Sequence, residues 1–205
     1  LKKKYKFSLS REYRGNIKRL TIKRNHLGEY FIILCIDREV DRYGKTHDGA
    51  SVGIDFGLKK YMTMSDGTEI DNPQFLKSDL VELRHRSRNL SKCTKGSNNR
   101  KRKRLELGRL YNDISNRKSD FQWKLAHFLC RKYDNIFLED LNLKGMSKRW
   151  GRKMSDLAHG DFVLKLEYVA LKYGCIVHKI DRFYPSSRLC TCGYKNDALS
   201  LRDRV

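Results

Sequence analysis

The chain predicts an α/β fold: a mixed sheet with an inserted helical hairpin, preceded by a small antiparallel β portion. Three observations carry this. Two short apolar runs, Val52-Gly53-Ile54-Asp55-Phe56 and Ile136-Phe137-Leu138-Glu139, read as buried strands that each meet a carboxylate. Between them, residues 75–133 recur at the helical period. Before them, residues 4–37 alternate in the manner of strands, with a turn at Asn25-His26-Leu27-Gly28-Glu29.

In order, Tyr5, Phe7 and Leu9 alternate with polar residues, followed by Ile17, Leu20 and Ile22 and then Tyr30 through Ile36. This β unit is dense in Lys and Arg, which suits either a solvated sheet face or a surface that tracks phosphates. Residues 37–50 are polar and form a boundary. After the first acidic strand, Tyr61–Met64 and Thr68–Ile70 flank Ser65-Asp66-Gly67, a hairpin signal. Leu76, Leu80, Leu83 and Leu90 mark a first helix, which a loop at Gly96-Ser97-Asn98-Asn99 separates from a second. That second helix carries Leu107, Leu110, Ile114, Phe121, Leu125 and Leu129. Beyond the second acidic strand, 145–160 reads as a basic loop and Phe162–Tyr173 as an amphipathic helix through Leu164, Leu166, Tyr168, Val169 and Leu171. Gly174 is its C-cap. A strand over 175–180 closes the series, with His178 read as structural.

Lys and Arg number 45 against 24 Asp and Glu, so 45 − 24 = +21. That balance exceeds what solubility needs and predicts a polyanionic partner. It is concentrated in Arg100-Lys101-Arg102-Lys103-Arg104, at a helix start, where the dipole disfavours cations and a polyanion would relieve them. No apolar run approaches the roughly 20 residues of a membrane span, and no signal-peptide pattern opens the chain. Leu1 stands where a Met would open a whole protein, so a fragment is expected. Cys35, Cys130 and Cys175 lie in apolar stretches and read as buried small hydrophobes. Scattered thiols suit a reducing compartment.

An acid inside a buried strand costs several kcal/mol unless something pairs with it. A divalent cation is one remedy; the bland alternative is that Asp55 caps a turn. Glu139 follows 84 positions later (139 − 55). If the two strands are neighbours, both acids can hold a metal, and magnesium suits a site with few carboxylates. Glu139 and Asp140 fall on opposite faces unless the strand ends between them.

Val52-Gly53-Ile54-Asp55-Phe56-Gly57 resembles the first strand of a RuvC-type, RNase H-like nuclease. Leu138-Glu139-Asp140-Leu141-Asn142, followed by Lys144-Gly145-Met146, resembles the second acid motif of the insertion-sequence protein TnpB and its relatives, the compact type V CRISPR effectors. Asp181-Arg182-Phe183-Tyr184-Pro185-Ser186-Ser187, then Cys190 and Cys192-Gly193-Tyr194, is similar to the approach to that family's zinc finger. Leu201-Arg202-Asp203-Arg204 is similar to the segment linking the finger's halves.

The resemblance implies a division into residues 1–49, the last strands of a β-barrel; 50–188, a RuvC-like nuclease domain; and 189–205, an incomplete zinc-finger segment. It implies an RNA-guided DNA endonuclease with guide RNA and target DNA as partners, in the prokaryotic cytoplasm at the nucleoid. Asp55 and Glu139 correspond to the first two of three metal-holding acids (Mg2+ or Mn2+), with Asp140 a structural neighbour and the third acid past Val205. Cys190 and Cys192 correspond to half of a Zn2+ site, although Cys190-Thr191-Cys192 is one residue shorter than Cys-x-x-Cys. The candidate nucleic-acid contacts are Arg84, Arg88, Arg100, Lys101, Arg102, Lys103, Arg104, Lys148, Arg149, Arg152 and Arg182. Two other functions remain open at this level: a nuclease-inactive RNA-guided DNA-binding repressor, and a guide-free RNase H-like nuclease such as a junction resolvase.

Overall fold

The computed structural model describes residues 6–10, 12–37, 43, 49–182, 184 and 192–196. They fall into two units. The first takes in the N-terminal hairpin and residues 75–120, and the second residues 43–74 and 121 onward.

In the first unit, β1 (Asn16–Arg24) and β2 (Tyr30–Asp37) pair antiparallel from Asn16↔Asp37 to Arg24↔Tyr30. The turn forms where the sequence places it. The Asn25 carboxamide oxygen accepts from the backbone N–H groups of Leu27 and Glu29, both at 2.9 Å, and Gly28 takes the left-handed φ of 88° that the reversal needs. Phe7 and Leu9 lie in an irregular segment rather than the expected strand. A strand needs a partner for its backbone groups, and among the described residues this sheet has two strands. Cys35, expected to be buried, is exposed on β2, because neither face of so thin a sheet forms a core.

The helical part of this unit is α1 (Phe75–Ser78), α2 (Leu80–Ser91) and the first half of α3 (Asn98–Lys132). Ser97 Oγ accepts from the Arg100 N–H at 3.1 Å and caps the start of α3. The hairpin tip sits over Gly108, where an added Cβ would meet Leu27 Cδ2 at 2.9 Å. Glycine at this helical position therefore makes room for the tip.

The second unit is a five-stranded sheet of β3 (Ser51–Phe56), β4 (Lys60–Met64), β5 (Glu69–Asp71), β6 (Asn135–Glu139) and β7 (Ile176–Ile180), in the order β5-β4-β3-β6-β7. β3, β6 and β7 run parallel, while β4 and β5 join antiparallel, so the sheet is mixed as predicted. Gly67, at φ 82°, turns the β4–β5 hairpin. One sheet face is the core: Val52, Ile54, Met64, Ile136 and Leu138 are buried with Leu125, Ala126, Leu129 and Cys130 of α3. Val52 and Ile54 alternate with Gly53 and Asp55, and Ile136 and Leu138 with Phe137 and Glu139, so those four share the other face.

The expected basic loop at 145–160 is instead a helix, α4 (Leu143–Leu157), joined to α5 (His159–Tyr173) through Ala158 in the left-handed conformation. Asn142 caps α4 by accepting from Gly145 N at 3.0 Å, and Met154 and Leu157, three apart, are buried. Gly145 and Gly151 disguised this helix in the sequence. The cap and the one-sided burial outweigh the roughly 1 kcal/mol that each glycine costs. In α5 the buried set is Phe162, Leu166, Val169, Ala170 and Tyr173. Leu164 and Leu171, read as core from the pattern, are 66% and 72% exposed. Gly174, at φ 71°, ends α5 as expected. Buried Gln122 of α3 donates to Leu157 O and Ala158 O and accepts from Lys165 Nζ at 2.6 Å, which ties the α4–α5 joint to α3.

Candidate active site

The two strand-end acids meet through strand register. β3 and β6 are parallel neighbours paired from Ser51↔Asn135 to Ile54↔Leu138. The next rung is Asp55 beside Glu139, both on the face opposite the core. Neighbouring strands lie about 4.8 Å apart, so the register sets the two residues side by side on one face. Across β4 the same rung continues to Thr63, and across β7 to Ile180.

Neither carboxylate has a hydrogen-bond or ion-pair partner among the described residues. Asp55 is exposed at its surface, and the partial desolvation of its carboxyl by the strand around it pushes its pKa above the usual carboxylate value. The nearby acids, by contrast, have partners. Glu69 is paired with Lys60 at 3.1 Å, and Asp140 with Arg182 at 2.5 Å. β6 ends at Glu139, as the two-face argument for Glu139 and Asp140 requires.

One row below the acids, Phe137 and His178 lie flat on each other, with centroids 4.5 Å apart, and His178 Nε2 is 3.2 Å from Asn135 Oδ1. His178 is structural, as read. Sequence reasoning missed His159. It is 2% exposed and stacked 4.5 Å from Phe56, and among the described residues neither ring nitrogen has a hydrogen bond of good geometry, the Tyr61 backbone being its nearest polar neighbour. No periodicity signals it, because it sits at a helix joint.

The described residues fit a cation of the magnesium type: two unpartnered carboxylates on one rung, with the remaining shell left to water and phosphate. No group of three or more His, Cys, Asp or Glu positioned for a metal occurs among the described residues. Cys192 is an exposed free thiol, while Cys190 lies outside the described residues.

The predicted phosphate contacts separate into several kinds. Arg100 donates to Leu90 O at 2.9 Å and Cys93 O at 3.2 Å, closing the C-terminal end of α2. Cations at the start of α3 were expected to await a polyanion, yet this one neutralises the negative end of a neighbouring helix. Lys103 pairs with Glu106 at 2.8 Å, Arg102 Nη2 donates to Asn99 at 3.1 Å, and Lys101 reaches Asn98 at 3.5 Å. Arg84 and Arg88, one turn apart on α2, and Arg104 on α3 are exposed and have no partner among the described residues. Lys148 is exposed on α4; the side chains of Arg149 and Arg152 lie outside the described set. Arg182 is engaged by Asp140.

The family model OrfB_IS605, "Probable transposase", matches residues 34–149, and the model "Cas12f1-like, TNB domain" matches 159–205. A "Putative RNA-guided DNA endonuclease" of Streptomyces pristinaespiralis is 35% identical over 189 residues, covering 90% of this chain and 46% of that protein. The "Putative RNA-guided DNA endonuclease InsQ" of Escherichia coli (strain K12) is 28% identical, covering 90% and 50%. The chain thus spans about half the length of these curated relatives. Among solved structures, the cryo-EM structure of a Cas12f1-sgRNA-target DNA complex shares the fold, with a TM-score of 0.55 at 16% identity over 89% of this chain and 39% of that one. No described helix is long and apolar enough to cross a membrane.

Proposed function

This chain belongs to the OrfB_IS605 family and is TnpB-like, and from that premise we propose that it is the catalytic part of an RNA-guided DNA endonuclease with an RNase H-like, RuvC-type site. The observation that carries the proposal is the shared rung of Asp55 and Glu139 on the solvent-facing side of the sheet. A protein that only binds nucleic acid has no use for two carboxylates set on one rung with no partner among the described residues. For the same reason the binding-only repressor is the weaker reading. The names of the relatives supply the guide RNA and the target DNA, and the charge of +21 suits both. The β-barrel, the zinc half-site, the nucleoid location and the third acid belong to this reading as implied by the family.

When bound, Mg2+ or Mn2+ would supply charge neutralisation at the scissile phosphate and an activated water, the chemistry of a two-metal site. In this reading Asp55 and Glu139 hold the cation by their carboxylates, and the sheet fixes their spacing. Arg84, Arg88 and Arg104 hold nucleic-acid phosphates by charge.

The test is cleavage by the full-length protein purified with its own RNA. Cleavage of DNA matching that RNA should require Mg2+, stop on chelation and return with Mn2+. Cleavage that survives chelation, or is independent of the RNA, would overturn the proposal. A second expectation concerns the free cations. Changing Arg84, Arg88 and Arg104 together to Gln should lower the salt slope of nucleic-acid binding by about 0.7–0.9 for each phosphate no longer neutralised. Arg100→Gln should instead lower the melting temperature, since it uncaps α2. An unchanged slope in the triple variant would mean that these cations are merely solvated.

A further inference from the structure

We infer that Arg182 and Asp140 are positioning residues that hold the Glu139 end of β6 in place. This rests on the reading of Asp55 and Glu139 as the cation-holding pair. Glu139 is the last residue of its strand, where backbone pairing ordinarily frays. Two bonds beyond it close the end. The Asp140 N–H donates to Ile180 O at 2.9 Å, one bond past the Glu139↔Ile180 pair. Arg182 Nη2 then donates to the Asp140 carboxylate at 2.5 Å. Glu139 thus sits directly before a residue anchored to the β7 side by both its backbone and its side chain.

The charges support the same role. Of the two consecutive acids at the end of β6, Arg182 engages Asp140, while Glu139 has no partner among the described residues. The side chains of Arg182 and Asp140 are 39% and 49% exposed. A pair so exposed contributes little to overall stability. What it does constrain is the path of the chain immediately after the acid. Supports outside the ligand set can orient a metal-holding carboxylate without touching the metal; here the support acts through the backbone of the next residue rather than by a bond to the Glu139 carboxylate. Arg suits the task because its fork fixes direction as well as charge.

Mn2+ titration of the RNA-free full-length protein, followed by the electron-paramagnetic signal of free Mn2+, tests the inference without any cleavage readout. Arg182→Ala should weaken Mn2+ binding roughly 10- to 100-fold, with a melting temperature close to wild type. Arg182→Lys should recover part of the loss. Asp140→Asn should weaken binding comparably, and the double variant should be no worse than either single change, because both remove one shared ion pair. Glu139→Gln is the control for the site itself. If Glu139→Gln lowers Mn2+ affinity and Arg182→Ala does not, the positioning role is wrong and the site reading stands. If Glu139→Gln has no effect, the site reading falls and this inference with it. Additive losses in the double variant would also overturn the shared role. So would a loss confined to nucleic-acid affinity, with a smaller salt slope, because Arg182 would then be holding a phosphate.

Discussion

Asp55→Ala is expected to abolish DNA cleavage and to leave nucleic-acid binding nearly intact. In the proposed reading the carboxylate holds a cation rather than a phosphate, so affinity for the polyanion does not depend on it. Losing a cation ligand removes several kcal/mol of transition-state stabilisation, on the order of a 10^3-fold drop in rate. The same substitution should not destabilise the fold. Asp55 has no partner among the described residues, and partial desolvation raises its pKa. The folded state therefore disfavours its charge, and stability falls as pH rises from the ordinary carboxylate value through the raised one. Asp55→Asn should remove that loss and melt no lower than wild type at neutral pH. A stable, well-folded Asp55→Ala protein that still cleaves would sink the site assignment.

The second large effect concerns pH and His159. Its ring is packed against Phe56 and lies 5.2 Å from the Tyr61 ring, in the core beneath β3. Burial pushes its pKa from 6.5 down to about 4, and the nearby Tyr61 backbone offsets only part of the shift. Between those values the unfolded chain takes up a proton that the folded chain refuses. Stability is full above about pH 6.5 and is lost as pH falls toward about 4, by roughly 3 kcal/mol in total. His127 is shifted down too, by burial and then by the charges of Arg131 and Lys172, and acts in the same direction. Comparison with His159→Phe isolates the buried ring. In urea melts at pH 7.5 and pH 5, the variant should lose most of the wild-type difference. An equal difference in both proteins would place the proton elsewhere. Because Phe56 follows Asp55 directly, mild acid is expected to loosen the site strand along with the core.

Much of the architecture is legible in local patterns. Alternation marks β3 and β6, the Asp66-Gly67 turn marks the hairpin, Gly174 stops α5, and the helical period marks α2 and α3. Each depends on residues a few positions apart, and backbone geometry ties such neighbours together whatever the rest of the chain does. Where local signals conflict, as with two glycines inside α4, the cap at Asn142 and the burial of Met154 and Leu157 outweigh composition. In α5 the hydrophobic pattern runs around more of the helix than the core can cover. Only packing shows that Leu166 and Val169 face inward while Leu164 and Leu171 do not.

The amino-acid sequence by itself determined the two acid-bearing strands, the helices between them and the strong positive charge, because these follow from short-range periodicity and composition. The tertiary structure decided that β3 and β6 are parallel neighbours in a register that sets Asp55 beside Glu139. It also decided that Arg100 closes a helix and that Arg182 meets Asp140. Such long-range pairings arise when distant segments bury a common face, and nothing local in the chain specifies which cation meets an acid and which does not.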